Sequence, residues 1–231
     1  MARLVITGAN RGIGLELTKR YAAAGHAVVA CCRAPAQAEV LAELAAGPAD
    51  VRVQALDVAD ADSVAALGAA LADETVDVLI NNAGISGPAR AHQSLWDMDY
   101  DGWAETFAVN AMGPLRVLQA LHAPLKRAAL GKAVTITSQL GALSLQFPTS
   151  YAYCSSKAAV NKVMRLASLE LEKGGIAVSL IHPGWVKTDM GGAGADLTVD
   201  ESAAGIMDVI DALTLETTGR FLKWNGEPHD W

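Results

Sequence analysis

Little in this 231-residue sequence is suited to disulfides, metal, nucleic acid or lipid. It has three cysteines, Cys31, Cys32 and Cys154, an odd number with none of the spacings of a metal site. Cys31 and Cys32 are neighbours in an apolar run. On a strand they point to opposite faces and do not readily bridge. The expectation is reduced thiols, a cytoplasmic protein and no metal. No apolar run reaches the roughly 18 residues that a spanning helix needs. The opening MARLVITGAN passes directly into strand and turn, so no leader is expected. Basic residues number 18 against 25 acidic ones, a net charge of −7, and they form no cluster. Nucleic acid and anionic membranes are therefore not expected partners. Only 19% of residues are charged and 52% are hydrophobic, which excludes a disordered chain.

What is present is alternation. RLVIT, AVVACC, VRVQAL, VDVLIN, AVTIT, AVSLIH and GRFLK read as strands, each a short run rich in β-branched and apolar residues. Between them, IGLELTKRYAAAG, AEVLAELAA, ADSVAALGAALAD, NAMGPLRVLQALHAPLKRAA and AYCSSKAAVNKVMRLASLELEKG carry helical periodicity. Thr198 and Glu201 have capping-box spacing, so a last helix is predicted from about Val199. Strand-helix alternation with short connections predicts an α/β fold, a single parallel sheet of about seven strands with helices on both faces. No linker, repeat or low-complexity tract interrupts it, so residues 1–231 are read as one domain.

Two constellations carry chemistry. Gly8, Gly12 and Gly14 follow the first strand in TGANRGIG and open the first helix. Glycine allows a sharp turn and close approach of backbone to a pyrophosphate, and the helix N-terminus offers N–H groups and positive dipole. A tight turn without a ligand would use the same glycines. Further on, Tyr153 and Lys157 stand four apart and share a helix face. Tyr151 has Ser155 at that offset, not a lysine. A free tyrosine has a pKa near 10, too high for a group poised near neutrality. A nearby ammonium favours the phenolate, so Lys157 is expected to lower it.

TGANRGIG, NNAG at 81–84, Asn110 in FAVNAMGP, Ser138 in VTITS, YCSSK and PGWVKTDM at 183–190 stand in the order of the short-chain dehydrogenase/reductase family. The chain resembles that family along essentially its whole length. PGWVKTDMGG and FLKWNGEPHDW resemble its carbonyl-reductase-like branch, with the sniffer and C-factor proteins. The resemblance implies a doubly wound Rossmann fold and an oxidoreductase moving hydride between a nicotinamide and a carbonyl or alcohol. Its catalytic set would be Asn110, Ser138, Tyr153 and Lys157. Tyr153, its pKa lowered by Lys157 and by the positive charge of the oxidised nicotinamide, would pass the proton, Ser138 would hold the substrate oxygen, Lys157 would also grip the nicotinamide ribose, and Asn110 would fix a water linking Lys157 to solvent.

The cofactor would lie along Gly8, Asn10, Arg11, Gly12, Ile13 and Gly14, then Asp57 and Val58, then Asn82, Ala83 and Gly84. It would continue to Tyr153 and Lys157 and end at Pro183, Gly184, Val186 and Thr188. A carboxylate at the end of the second strand would grip the ribose 2′-OH of NAD(H). None stands there, and Arg33 follows directly. With Arg11, it suits a 2′-phosphate, so NADP(H) is the preferred cofactor and NAD(H) the alternative. Ser138 and Tyr153 lie slightly further apart than is usual in the family, so QLGALSLQFPTSYA should bulge. Trp185, Met190 and Phe147 are candidate pocket walls, and the short glycine-rich GGAGADLTVDES predicts an open substrate mouth. His182 is expected to end a strand. The alternative to turnover is a dinucleotide-binding regulator or signalling protein. Apolar residues around the helices at 111–129 and 151–173 predict a homo-oligomer, a dimer or tetramer.

Overall fold

The computed structural model describes residues 1–146 and 149–231. Seven strands form one sheet: β1 (Arg3–Thr7), β2 (Ala27–Cys32), β3 (Val51–Ala55), β4 (Val78–Asn81), β5 (Gly131–Ile136), β6 (Ile176–His182) and β7 (Arg220–Lys223). Their spatial order is β3-β2-β1-β4-β5-β6-β7, and every pairing is parallel. The parallel seven-stranded sheet expected from the alternation, and the doubly wound Rossmann fold that the resemblance implies, are the ones found.

Side chains of β1 alternate between two cores. Leu4 and Ile6 pack with Leu17 and Tyr21 of α1 (Gly12–Ala23), and with Ile206 and Val209 of α8 (Val199–Asp211). Val5 packs on the other face with Leu67 of α3 (Ala61–Ala70), Val117 of α5 (Gly113–Ala120) and Met164 of α7 (Tyr151–Leu171). Helix α2 (Glu39–Ala46) adds Leu41 to the first core. Each such fully buried leucine or isoleucine contributes about 1.5–3 kcal/mol. Cys31 and Cys32 follow the same alternation into opposite cores and are free thiols.

Two helical readings need correction. The stretch 110–129 is not one helix. It is a π-helical segment Ala108–Met112, then α5, then α6 (His122–Lys126). Pro124 has no N–H to give to the carbonyl four residues back, and the ladder breaks at Leu121. Helix α4 (Tyr100–Phe107) was not foreseen at all. Asp99 caps it by accepting from the Gly102 N–H at 2.9 Å. Its Gly102 and three aromatic residues are poor helix formers, and packing against α7 stabilises it instead.

Among the described residues, no helix is long and apolar enough to cross a membrane. The capping box at the start of α8 is complete: the Glu201 N–H donates to Thr198 Oγ1 and the Thr198 N–H to Glu201 Oε2. Replacing Thr198 with Ala should lower unfolding free energy by about 1 kcal/mol. Urea denaturation of the two proteins checks this, with the slope unchanged.

Candidate active site

The ends of β1 and β4 part at the point where strand order reverses, the usual binding crevice of an open parallel sheet. A cleft of about 470 Å³ opens there. Gly8 and Gly12 stand at φ +66° and +53°, which favours glycine. A Cβ on Gly14 would sit 2.3 Å from the Gly8 carbonyl oxygen. The turn therefore folds back on its own helix, and no larger residue fits. Arg11 at the N-cap is extended, no side chain caps α1, and no acid occupies its first turn. Its leading N–H groups and positive dipole end face the cleft.

Asn10, Arg11, Gly12 and Ile13 line this end with Gly8, and Arg33, Asp57 and Val58 line the wall beyond. Arg33 is exposed beyond the end of β2. Arg11 makes an exposed ion pair at 3.3 Å with Asp189, which sits in the loop after β6. Asp57 spends one oxygen on the Ala59 N–H at 2.9 Å. Asn82 gives its amide to the Thr7 and Gly8 carbonyls at 3.0 and 3.1 Å. It reaches the cleft with Ala83 and Gly84, yet its side chain serves the protein.

The other end holds the tyrosine and lysine. Tyr153 and Lys157 come from the first two turns of α7, and both line the cleft. Tyr151 is exposed. Lys157 is buried, donates to the Ile136 carbonyl at 3.0 Å, and holds its ammonium 5.7 Å from the centre of the Tyr153 ring. Burial lowers its pKa to about 8, so it keeps its charge at neutral pH. Burial also pushes the Tyr153 phenol up to about 12, and the Ser138 hydroxyl beside it pulls the other way. Lys157 by itself therefore does not lower the phenol; the expectation joins it with the positive charge of an oxidised nicotinamide. Desolvation of the phenol is the largest cause, and the ammonium lies over the ring with its hydrogen bond on the Ile136 carbonyl.

Asn110 lies in the π-helical segment, a local geometry frequent at functional sites. Its amide grips the Ile85 backbone at 2.9 and 2.8 Å and donates to Ser156 Oγ at 3.0 Å. Ser138 ends the strand side of the site, where its Oγ accepts the Leu140 N–H at 3.1 Å. Pro183 and Thr188 line the cleft. Gly184 does not: at φ +86°, its Cβ position faces Leu197 and Trp224. Val186 is buried and bridges to Leu197. Gly14 is buried under the turn, and Asn110 stands behind the wall. Met190 lines the cleft and is half exposed, while Trp185 donates to the Gly191 carbonyl at 2.8 Å. Phe147 lies outside the described residues. His182 ends β6. Burial and the neighbouring His229 and Lys223 lower its pKa to about 4, so it is neutral.

Sequence reasoning missed three residues. Buried Asn161 accepts from Thr137 Oγ1 at 2.6 Å and donates to the Gly141 carbonyl at 3.4 Å, tying β5 to α7. Gly141 approaches the Lys157 backbone so closely that a Cβ would lie 2.7 Å from the Lys157 carbonyl carbon. Gln93 reaches the first turn of α7. No motif marks these positions, because each matters only for what it touches.

A dinucleotide-type cleft that ends on a tyrosine and a buried lysine defines a class, the nicotinamide-dependent oxidoreductases of this fold. A family model described as short chain dehydrogenase matches residues 2–196, and the chain belongs to that family. The C-signal of Myxococcus xanthus is 45% identical over 157 residues, covering 68% of this chain and 93% of that protein. Two solved structures place the chain in the carbonyl-reductase-like branch. NADPH-bound carbonyl reductase from chicken fatty liver superposes with a TM-score of 0.91 at 34% identity, covering 100% of this chain and 99% of that one. Carbonyl reductase Sniffer of D. melanogaster gives 0.91 at 30%, with the same coverage.

Gly141→Ala should cost about 1–3 kcal/mol in unfolding free energy, because either the β5 loop or the α7 backbone must move. Thermal and chemical denaturation measure it. An unchanged midpoint would mean that the loop gives way freely.

Proposed function

We propose that the protein reduces a small carbonyl compound to an alcohol, and runs the reverse, with NADP(H) as hydride carrier. The observation that carries this reading is that Tyr153 and Lys157 line one end of a cleft whose other end is the glycine turn, with Ser138 beside the phenol. The turn fits a dinucleotide: its glycines leave room for a pyrophosphate, and the uncapped α1 N-terminus offers the N–H groups. When bound, the nicotinamide supplies the hydride that the carbonyl carbon gains.

The chain's own residues handle the oxygen. Ser138 donates a hydrogen bond that holds it. Tyr153 gives it the phenolic proton, and the phenolate left behind is stabilised by the Lys157 ammonium. A pKa pushed up to about 12 keeps the phenol protonated before the reaction, as a proton donor must be. Lys157 also suits the nicotinamide ribose. Asn110 holds Ile85 and Ser156, and so sets the wall behind the lysine. Arg33, with no acid at the end of β2, favours a 2′-phosphate over a 2′-OH. The NADPH in the chicken carbonyl reductase supports that choice.

Identity to the C-signal favours a second reading, a dinucleotide-binding signalling protein with little turnover. Against it, a binder needs no tyrosine facing a buried lysine.

Tyr153→Phe should reduce kcat roughly a hundred- to ten-thousand-fold, with NADPH affinity nearly intact by fluorescence titration. Full turnover in this variant would refute the assignment and leave the signalling reading. Arg33→Asp should shift the NADPH:NADH ratio of kcat/KM towards NADH by roughly ten- to a hundred-fold, since a charged hydrogen bond becomes a repulsion. A wild type that already prefers NADH would overturn the reading of Arg33.

A further inference from the structure

Helix α7 begins without help from its own sequence. Ser150 at the N-cap stands at φ +40°, and its side chain caps nothing. The first N–H groups of a helix have no partner inside it, and Tyr153 is the third residue of this one. Its N–H is answered from 60 residues away: it donates to Gln93 Oε1 at 3.3 Å. The Gln93 side chain is buried, at 4% exposure. Its Nε2 donates to the Ser86 carbonyl at 3.0 Å and to the Pro88 carbonyl. Two carbonyls on one side and an N–H on the other leave a single amide orientation that satisfies all three. Gly87, at φ +81°, lets this arrangement close, since a Cβ there would lie 2.7 Å from Thr106 Oγ1 and 3.4 Å from Gln93 Nε2.

Asn110 makes the companion tether, joining Ile85 to Ser156. The loop after β4 is thus pinned to α7 by two buried amides, one under the lysine's turn and one at the tyrosine.

We infer that Gln93 is a positioning residue for the reaction: it fixes the depth of Tyr153 in the cleft by holding the tyrosine's own backbone N–H against the loop after β4. The inference rests on the proposed role of Tyr153. Gln93 does not line the cleft, so its loss should appear in kcat and not in cofactor binding. A displacement of the phenol by a fraction of an ångström is enough to slow proton transfer.

The test is carbonyl reduction by Gln93→Met and Gln93→Glu, with Tyr153→Phe as control. Gln93→Met keeps length and loses every hydrogen bond; kcat should fall roughly ten- to a hundred-fold, with the NADPH Kd within twofold. Gln93→Glu, held as the neutral acid by burial against two carbonyls, keeps a carbonyl oxygen for the Tyr153 N–H and an O–H for one of the two carbonyls, and should retain more of kcat than Gln93→Met. Wild-type kcat in a folded Gln93→Met would overturn the inference, as would a parallel loss of kcat and NADPH affinity, or a Gln93→Glu no better than Gln93→Met. Should Gln93→Met fail to fold, Gln93→Glu carries the test: a loss in kcat alone supports the inference, and no loss or a parallel loss of affinity overturns it. An inactive Tyr153→Phe beside a fully active Gln93→Met sinks this inference only, whereas an active Tyr153→Phe sinks both.

Discussion

The cleft depends on how closely the ends of β1 and β4 approach before the chain turns away from each. Thr7 and Asn82 set that approach. The Thr7 hydroxyl accepts the N–H groups of Asn82 and Ala83, both at 3.0 Å, and the Asn82 amide returns two bonds to the Thr7 and Gly8 carbonyls. The space is so tight that a Cβ on Gly8 would lie 2.9 Å from the Ala83 Cα. With these backbones locked, the glycine turn has one path, and the N-terminus of α1 is delivered to the crevice between the strands. Everything else in the site is measured from that fixed edge.

Across the crevice, α7 presents a phenol and an ammonium in an environment that favours neither charge. Desolvation moves the tyrosine up and the lysine down, and the ammonium is held by the Ile136 carbonyl. Such opposed shifts are common where protons are exchanged. The polar groups buried in this wall need partners. The Ile136 carbonyl takes the lysine, Asn161 takes Thr137 and Gly141, and Asn110 takes Ile85 and Ser156. These buried side-chain amides act as stitches between the sheet, the loop after β4 and α7. Rigidity of this kind is what a short proton path demands.

Much of the fold was legible in the sequence. Period-two and period-3.6 patterns are local, and a buried parallel strand announces itself by an unbroken apolar run. All seven predicted strands form, and the capping box at Thr198 was visible because its two residues are three apart. The legible part of the site has the same cause. Gly8, Gly12 and Gly14 lie in one turn, and Tyr153 and Lys157 on one helix face, so spacing alone brings them together. Where local signals conflicted, the reading failed: the aromatic, glycine-containing α4 was passed over, and Pro124 broke a helix drawn through it.

Tertiary structure decided what depends on distance between segments. Nothing around Gln93 announces that its amide will meet the backbone of Tyr153, or that Gly141 must lack a side chain because it rests on Lys157. The direction of the tyrosine's pKa shift was likewise out of reach. An i, i+4 lysine implies a charge nearby, but the balance between that charge and desolvation is set by how much protein closes over both groups. The sequence by itself determined which residues share a strand, a turn or a helix face, since those relations follow from backbone geometry over a few residues. Only the packed fold decided how deeply they are buried and which partners, tens of residues away, satisfy them, because burial and long-range hydrogen bonds exist only once the sheet and its helices have assembled.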